Sequence, residues 1–183
     1  QNMHVEETIK LNRDCPAVAV PTGQRVMLGE GGEVGLVQSL GGSFTVMAQG
    51  RLFRVDAKDG DALGKEAVPP PQLPENATDE EVEKLVWDQM RSCYDPEIPI
   101  NIVELGLIYR CEIERNADGG RTVWIDMTLT APGCGMGNVI AADVRDRVLE
   151  VPTVEEANVE VVFDPPWNAS RMSEAARLQT GMF

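Results

Sequence analysis

The chemistry in this chain gathers at Thr130-Ala131-Pro132-Gly133-Cys134-Gly135-Met136-Gly137, where a thiol stands between two glycines at the joint of a β-rich run and an amphipathic one. A thiolate is both a nucleophile and a metal ligand. The positive end of a helix lowers a thiol pKa below its usual ~8.5. Gly133 and Gly135 leave backbone amides open to an anion or a sulfide and leave room for a bulky inorganic ligand. The competing reading is a small hydrophobe at a tight turn, but a structural thiol has no need of so many glycines around it. Asp95 and Glu97, in Tyr94-Asp95-Pro96-Glu97-Ile98-Pro99, are candidate ligands or acid/base groups. On local chemistry alone, turn formation by Asp-Pro is the stronger reading for them.

Composition narrows the field. The other cysteines are Cys15, Cys93 and Cys111, with no CxxC pair, and His4 is the only histidine. Free thiols are therefore expected in place of disulfides, a self-contained zinc site is disfavoured, and a Cys–His catalytic pair would need a distant partner. No catalytic residue is assigned, and the chain reads as a non-enzyme. The formal charge is −14, which disfavours nucleic-acid binding because counterion release needs clustered Lys and Arg. The charge is uneven: residues 1–64 carry 8 acids and 6 bases, residues 65–183 carry 22 and 10. No apolar run is long enough for a membrane helix, and a cytoplasmic location is expected.

The elements that must hold Cys134 follow from periodicity. Leu105, Leu107, Tyr109, Cys111 and Ile113 alternate with polar neighbours, as in a half-buried strand. Asn116-Ala117-Asp118-Gly119-Gly120 turns the chain, and residues 122–130 return with Val123, Ile125, Met127 and Leu129 on one face. A helix over 135–150 places Ile140, Val144 and Val148 a turn apart. A strand over 155–163 then runs parallel to the second one, since a strand–helix–strand crossover makes them so. Thr78 or Asp79 caps a preceding helix with an acidic first turn, whose buried face carries Val82, Leu85, Val86, Met90 and Cys93. Asp164-Pro165-Pro166-Trp167 leaves the last strand stiffly. Trp167 either covers the sheet edge or anchors a partner, and Asn168 or Ser170 caps a short helix with Met172, Ala175, Ala176 and Leu178.

Ahead of all this, residues 65–78 with Pro69-Pro70-Pro71 read as a stiff linker. Residues 3–64 read as a small mostly-β domain, a barrel or sandwich of strands at Cys15–Val20, Glu33–Val37, Ser43–Met47 and Arg51–Val55. Its glycine clusters lack the Lys-Ser/Thr of a phosphate loop.

The ordered motifs Asp95-Pro96-Glu97, Leu105-Gly106-Leu107-Ile108-Tyr109, Met127-Thr128-Leu129-Thr130-Ala131-Pro132-Gly133-Cys134 and Asp164-Pro165-Pro166-Trp167 resemble the PaaD-like metal–sulfur cluster biosynthesis domain family. The tail Arg171-Met172-Ser173-Glu174-Ala175-Ala176-Arg177 and the N-terminal β extension resemble the SufT-like maturation factors within it. The resemblance covers about residues 79–178. It implies an α+β domain over 79–183, with a small mixed sheet packed by helices. It also implies a role in assembling or delivering iron–sulfur clusters to client proteins. The motif cysteine corresponds to Cys134 and the acidic turn to Asp95 and Glu97, while Thr130, Pro132, Gly133, Gly135 and Trp167 fall in recurrent motif positions. Implied partners are iron–sulfur scaffold or carrier proteins, client apo-proteins and a second copy of the chain. The implied cofactor is at most a transient cluster or iron, because a Cys-ligated cluster ordinarily takes four thiolates. The alternative is an adaptor that docks clients while the cysteine is structural.

Overall fold

The hydrophobic residues segregate into two cores, and the chain divides accordingly into two compact units, Gln1–Pro70 and Pro71–Phe183. The computed structural model describes all residues except 1–4, 41–42, 70, 96–97, 99, 132–136 and 182–183, and describes 38–40 by backbone alone.

In the first unit, β1 (Glu7–Lys10), β2 (Cys15–Val20), β3 (Arg25–Leu28), β4 (Glu33–Leu40), β5 (Ser43–Ala48) and β6 (Arg51–Val55) form one antiparallel sheet in the order β1-β4-β5-β6-β2-β3. This corrects the expected barrel or sandwich. The described residues form a single sheet with β1 and β3 at its ends, and one face is covered by a 3-10 helix, Ala57–Leu63, that periodicity does not announce. The alternating residues Phe44, Val46, Phe53 and Val55 bury against Ala62 and Leu63. Arg13 clamps that helix: its Nε and Nη2 donate to the two Asp61 oxygens at 2.9 and 2.7 Å, and Nη2 also donates to Asp59 at 3.1 Å. The Arg13 guanidinium holds the Asp61 carboxyl below the usual carboxylate range.

In the second unit Thr78 caps α1 (Asp79–Met90) with a complete capping box. Its hydroxyl accepts from the Glu81 amide, and the Glu81 carboxylate accepts from the Thr78 amide, each at 3.2 Å. Val82, Val86 and Met90 are buried on the inner face, with Cys93 just beyond, as their spacing predicts; Leu85 sits at the rim of that core. β7 (Ile108–Arg115) and β8 (Arg121–Met127) form the expected hairpin. α2 (Gly137–Leu149) crosses over, and β9 (Val154–Val161) pairs parallel to β8, giving a mixed sheet β7-β8-β9. Ile140, Val144 and Val148 bury against it. The fold of this unit is therefore α+β, helices on one face of a small mixed sheet.

The C-terminal segment follows a 3-10 turn, Ala169–Arg171, capped by Asn168, and then α3 (Glu174–Thr180), capped by Ser173. Met172 and Ala176 are buried, whereas Leu178 points to solvent, against the expectation that it packs. Only the first turn of this short helix meets the core.

Buried Arg121 ties three segments together. Its Nε donates to Asp79 at 2.9 Å, Nη1 to the Thr153 hydroxyl at 2.6 Å and Nη2 to the Ala77 carbonyl at 3.2 Å. Its own amide donates to the Thr153 carbonyl at 2.8 Å. Thr153 has φ +75°, an unfavourable conformation for a β-branched residue. The Arg121 bonds hold it there at the turn between α2 and β9.

Candidate functional site

The site begins where two turns meet. After α1 the chain makes a narrow loop in which the Ile102 amide donates to the Cys93 carbonyl at 2.9 Å and Tyr94 bridges Asn101. That loop buries Asp95, which is 3% exposed. One Asp95 oxygen accepts from the Ile98 amide at 3.1 Å, the turn-forming role its local sequence predicts. The other accepts from the Thr130 hydroxyl at 3.3 Å, across 35 residues of sequence. The structure thus joins two of the residues singled out from sequence, and it joins them at the exit of β8, where the stretch carrying the thiol begins. Cys134, with Pro132, Gly133 and Gly135, and Glu97 in the other turn, lie outside the described residues.

Trp167 lies elsewhere in the same unit, half-buried against the core, and its indole N–H donates to the Leu105 carbonyl at 2.7 Å. It belongs to a latch that sequence reasoning missed. Leu105 and Gly106 were expected in β7, but residues 102–106 turn, and Gly106 takes φ +77°. A Cβ there would collide with the Arg171 carbonyl, so glycine permits the C-terminal segment to lie directly on this turn. Three residues on, Tyr109 is the extra residue of a bulge between Ile108 and Arg110. The bulge re-aims its ring: the hydroxyl donates to the Pro165 carbonyl at 2.8 Å and the Arg171 guanidinium stacks 4.5 Å over the ring centroid. The available signal was the isolated glycine inside a strand pattern.

The other thiols are poor reactants. Burial pushes Cys15 and Cys111 each up to about 11, with Asp59 adding to the effect at Cys15 and Glu83 at Cys111. Cys93 is buried in the core. Among the described residues no three His, Cys, Asp or Glu side chains gather to hold a metal ion. Among them, too, no helix is long and apolar enough to cross a membrane.

The sequence of the second unit carries a family signature. Residues 83–161 match the family described as iron–sulfur cluster assembly protein. Over 101 residues, 55% of this chain and 92% of the relative, it is 43% identical to the Fe-S protein maturation auxiliary factor of Porphyromonas gingivalis. The chain belongs to the iron–sulfur cluster assembly protein family. Another member, the Fe-S protein maturation auxiliary factor SufT of Staphylococcus aureus, is 39% identical over 88 residues, 48% of this chain and 96% of that one. A crystal structure from Bacillus anthracis titled as a domain of unknown function, DUF59, is 36% identical, covering 57% of this chain and 95% of its own, with a TM-score of 0.47. The PaaD-like resemblance drawn from the four motifs, and the SufT-like one drawn from the tail and the N-terminal extension, are borne out.

Proposed function

We propose that this chain is an iron–sulfur protein maturation factor in which the Cys134 thiolate makes transient contact with iron or a cluster in transit to client proteins. The cluster is cargo. The observation that carries the reading is the buried Asp95–Thr130 hydrogen bond, which fixes the two family motif turns against one another beside the start of the Cys134 stretch. Family membership and the names of the relatives support the assembly role. In sequence Cys134 stands three residues ahead of α2, which supports the reading of a thiol near the start of that helix.

Both oxygens of Asp95 already accept hydrogen bonds, so this carboxylate positions the loop and Glu97 is the better acidic candidate for metal contact. Cys15 and Cys93 are buried and belong to separate cores. Four thiolates for one cluster therefore require ligands from outside the chain: a second protomer's Cys134, a scaffold or carrier protein, the client, or a small thiol. Shared, incomplete ligation suits transfer and disfavours storage, and it requires no enzymatic step and no stably bound group. Such work belongs in a cytoplasmic compartment. In this reading the small N-terminal β domain (3–64), followed by the Pro-rich linker (65–78) and the assembly domain (79–183), docks partners.

The test replaces Cys134 with Ala in the full chain. Maturation of a client [4Fe–4S] enzyme is measured under high iron–sulfur demand in cells lacking the wild-type protein, and visible absorption after anaerobic addition of iron and sulfide is measured in vitro. The proposal expects both signals to fall while the melting temperature holds. Retention of client maturation in Cys134→Ala would instead identify an adaptor whose thiol is structural.

A further inference from the structure

Among the described residues the outer edge of β9 is unpaired. In the order β7-β8-β9 it bonds only to β8, and no backbone bond from residues 155–161 to any other segment occurs among the described residues. Exposed edges of this length are templates for another strand, and natural proteins blunt them with charged residues, lysine above all, or with proline. β9 reads Val-Glu-Glu-Ala-Asn-Val-Glu-Val and has neither lysine nor proline; its charges are all acidic, which leaves it open to a basic strand. An open cavity of about 400 Å³ reaches from this strand across the sheet, walled by Asn138, Ala141 and Arg145 of α2, by Asn158 and Glu160 of β9, and by Asp126 of β8 and Arg110 of β7.

We infer that β9 accepts an added strand from a partner protein, an extended segment with Lys or Arg on one face and small apolar residues on the other. The two faces follow from the alternation of side chains. On the open face of the sheet the segment meets exposed Glu156 and Glu160, which flank Asn158; on the helix side it meets the small side chains of Ala141 and Ala142. A second copy of this chain is the wrong occupant. Antiparallel self-pairing centred on Asn158 sets Glu156 opposite Glu160 of the copy twice over, and like charges directly opposed destabilise a ladder. The inference does not depend on Cys134.

The test uses the full chain and the peptide acetyl-Val-Lys-Val-Lys-Ala-Lys-Val-Lys-amide. Controls are the same sequence methylated on one or the other set of alternate backbone nitrogens, with the charge unchanged. Calorimetry gives affinity and amide exchange by NMR gives location. The expected result is binding with new protection at residues 156–160, weakened about tenfold in at least one methylated form, since losing even one or two hydrogen bonds has that effect. Glu156→Lys/Glu160→Lys should lose about the same factor for the lysine peptide and gain binding of its glutamate counterpart. Equal affinity for all three peptides, protection elsewhere, or no binding overturns the inference. The methylated peptides decide the matter on wild-type protein even if the double variant folds poorly.

Discussion

Replacing Arg121 with methionine should loosen the second unit by about 2–4 kcal/mol. Methionine keeps much of the buried stem but removes every guanidinium donor. The bonds to the Thr153 hydroxyl and the Ala77 carbonyl are donated by a buried cation, and such bonds are worth roughly 1.5–3 kcal/mol each. Removing a buried charge returns part of its desolvation cost, which holds the total below their sum. The Asp79 bond adds little, because Arg115 also reaches Asp79 at 2.9 Å and remains. The three tryptophans, Trp87, Trp124 and Trp167, all lie in the second unit, so urea unfolding followed by tryptophan fluorescence reads that unit without the other. A companion change checks the cause. Thr153→Gly relieves a residue at φ +75° and should recover about 1 kcal/mol in the Arg121→Met background. A change under about 0.5 kcal/mol in Arg121→Met, the scale of an ordinary surface substitution, would refute the view that this side chain binds the linker end, α1 and the α2–β9 turn together.

Gly106→Ala forces both a left-handed backbone and a clash with the Arg171 carbonyl, and should cost about 2–4 kcal/mol with faster proteolysis of residues 164–181. Tyr109→Phe, which removes only the bond to Pro165, should cost about 1 kcal/mol in the same unfolding assay. Thr130→Val deletes the donor to buried Asp95 and should cost about 1–2 kcal/mol while lowering client maturation more than its effect on stability explains. At pH 8, Cys15 and Cys111, raised to about 11, should be thiolate in only about one molecule in a thousand, so mass-mapped alkylation should label Cys134 first. Because these two thiols are held protonated in the folded state, their contribution to stability is fully present below the ordinary thiol pKa of ~8.5 and is lost as pH rises towards 11. Cys111→Ala should flatten that decline in alkaline unfolding curves.

Much of the second unit was legible because each signal was local. The cap at Thr78 or Asp79 with its acidic first turn, the alternation through Val123, Ile125 and Met127, and the turn-spaced Ile140, Val144 and Val148 all operate within a few residues. The parallel β8–β9 pairing followed from the handed crossover. What escaped is non-local. Arg121 and Arg147 are each 4% exposed, yet a charged residue carries no sequence mark that its partners will allow burial. The Asp95–Thr130 bond is likewise invisible to any reading that takes the chain a window at a time. In the first unit, β1 and β3 are four-residue strands, too short for alternation to register, and without them the strands looked like two facing sheets. Of the candidate site, the Asp95 turn was legible from Asp-Pro, whereas the Thr130 and Trp167 bonds to Asp95 and Leu105 were not.

The mixed order of the small sheet also sets the sequence in which it is built. β7 and β8 meet across a short turn, whereas β8 and β9 pair residues more than thirty positions apart, Val123 with Ala157 and Ile125 with Val159. Closing the longer loop costs more chain entropy, so the hairpin is expected early and β9 late. The Cys134 stretch lies inside that longer loop. A nascent chain stalled before β9 therefore carries Cys134 in a loop that the last strand has yet to close.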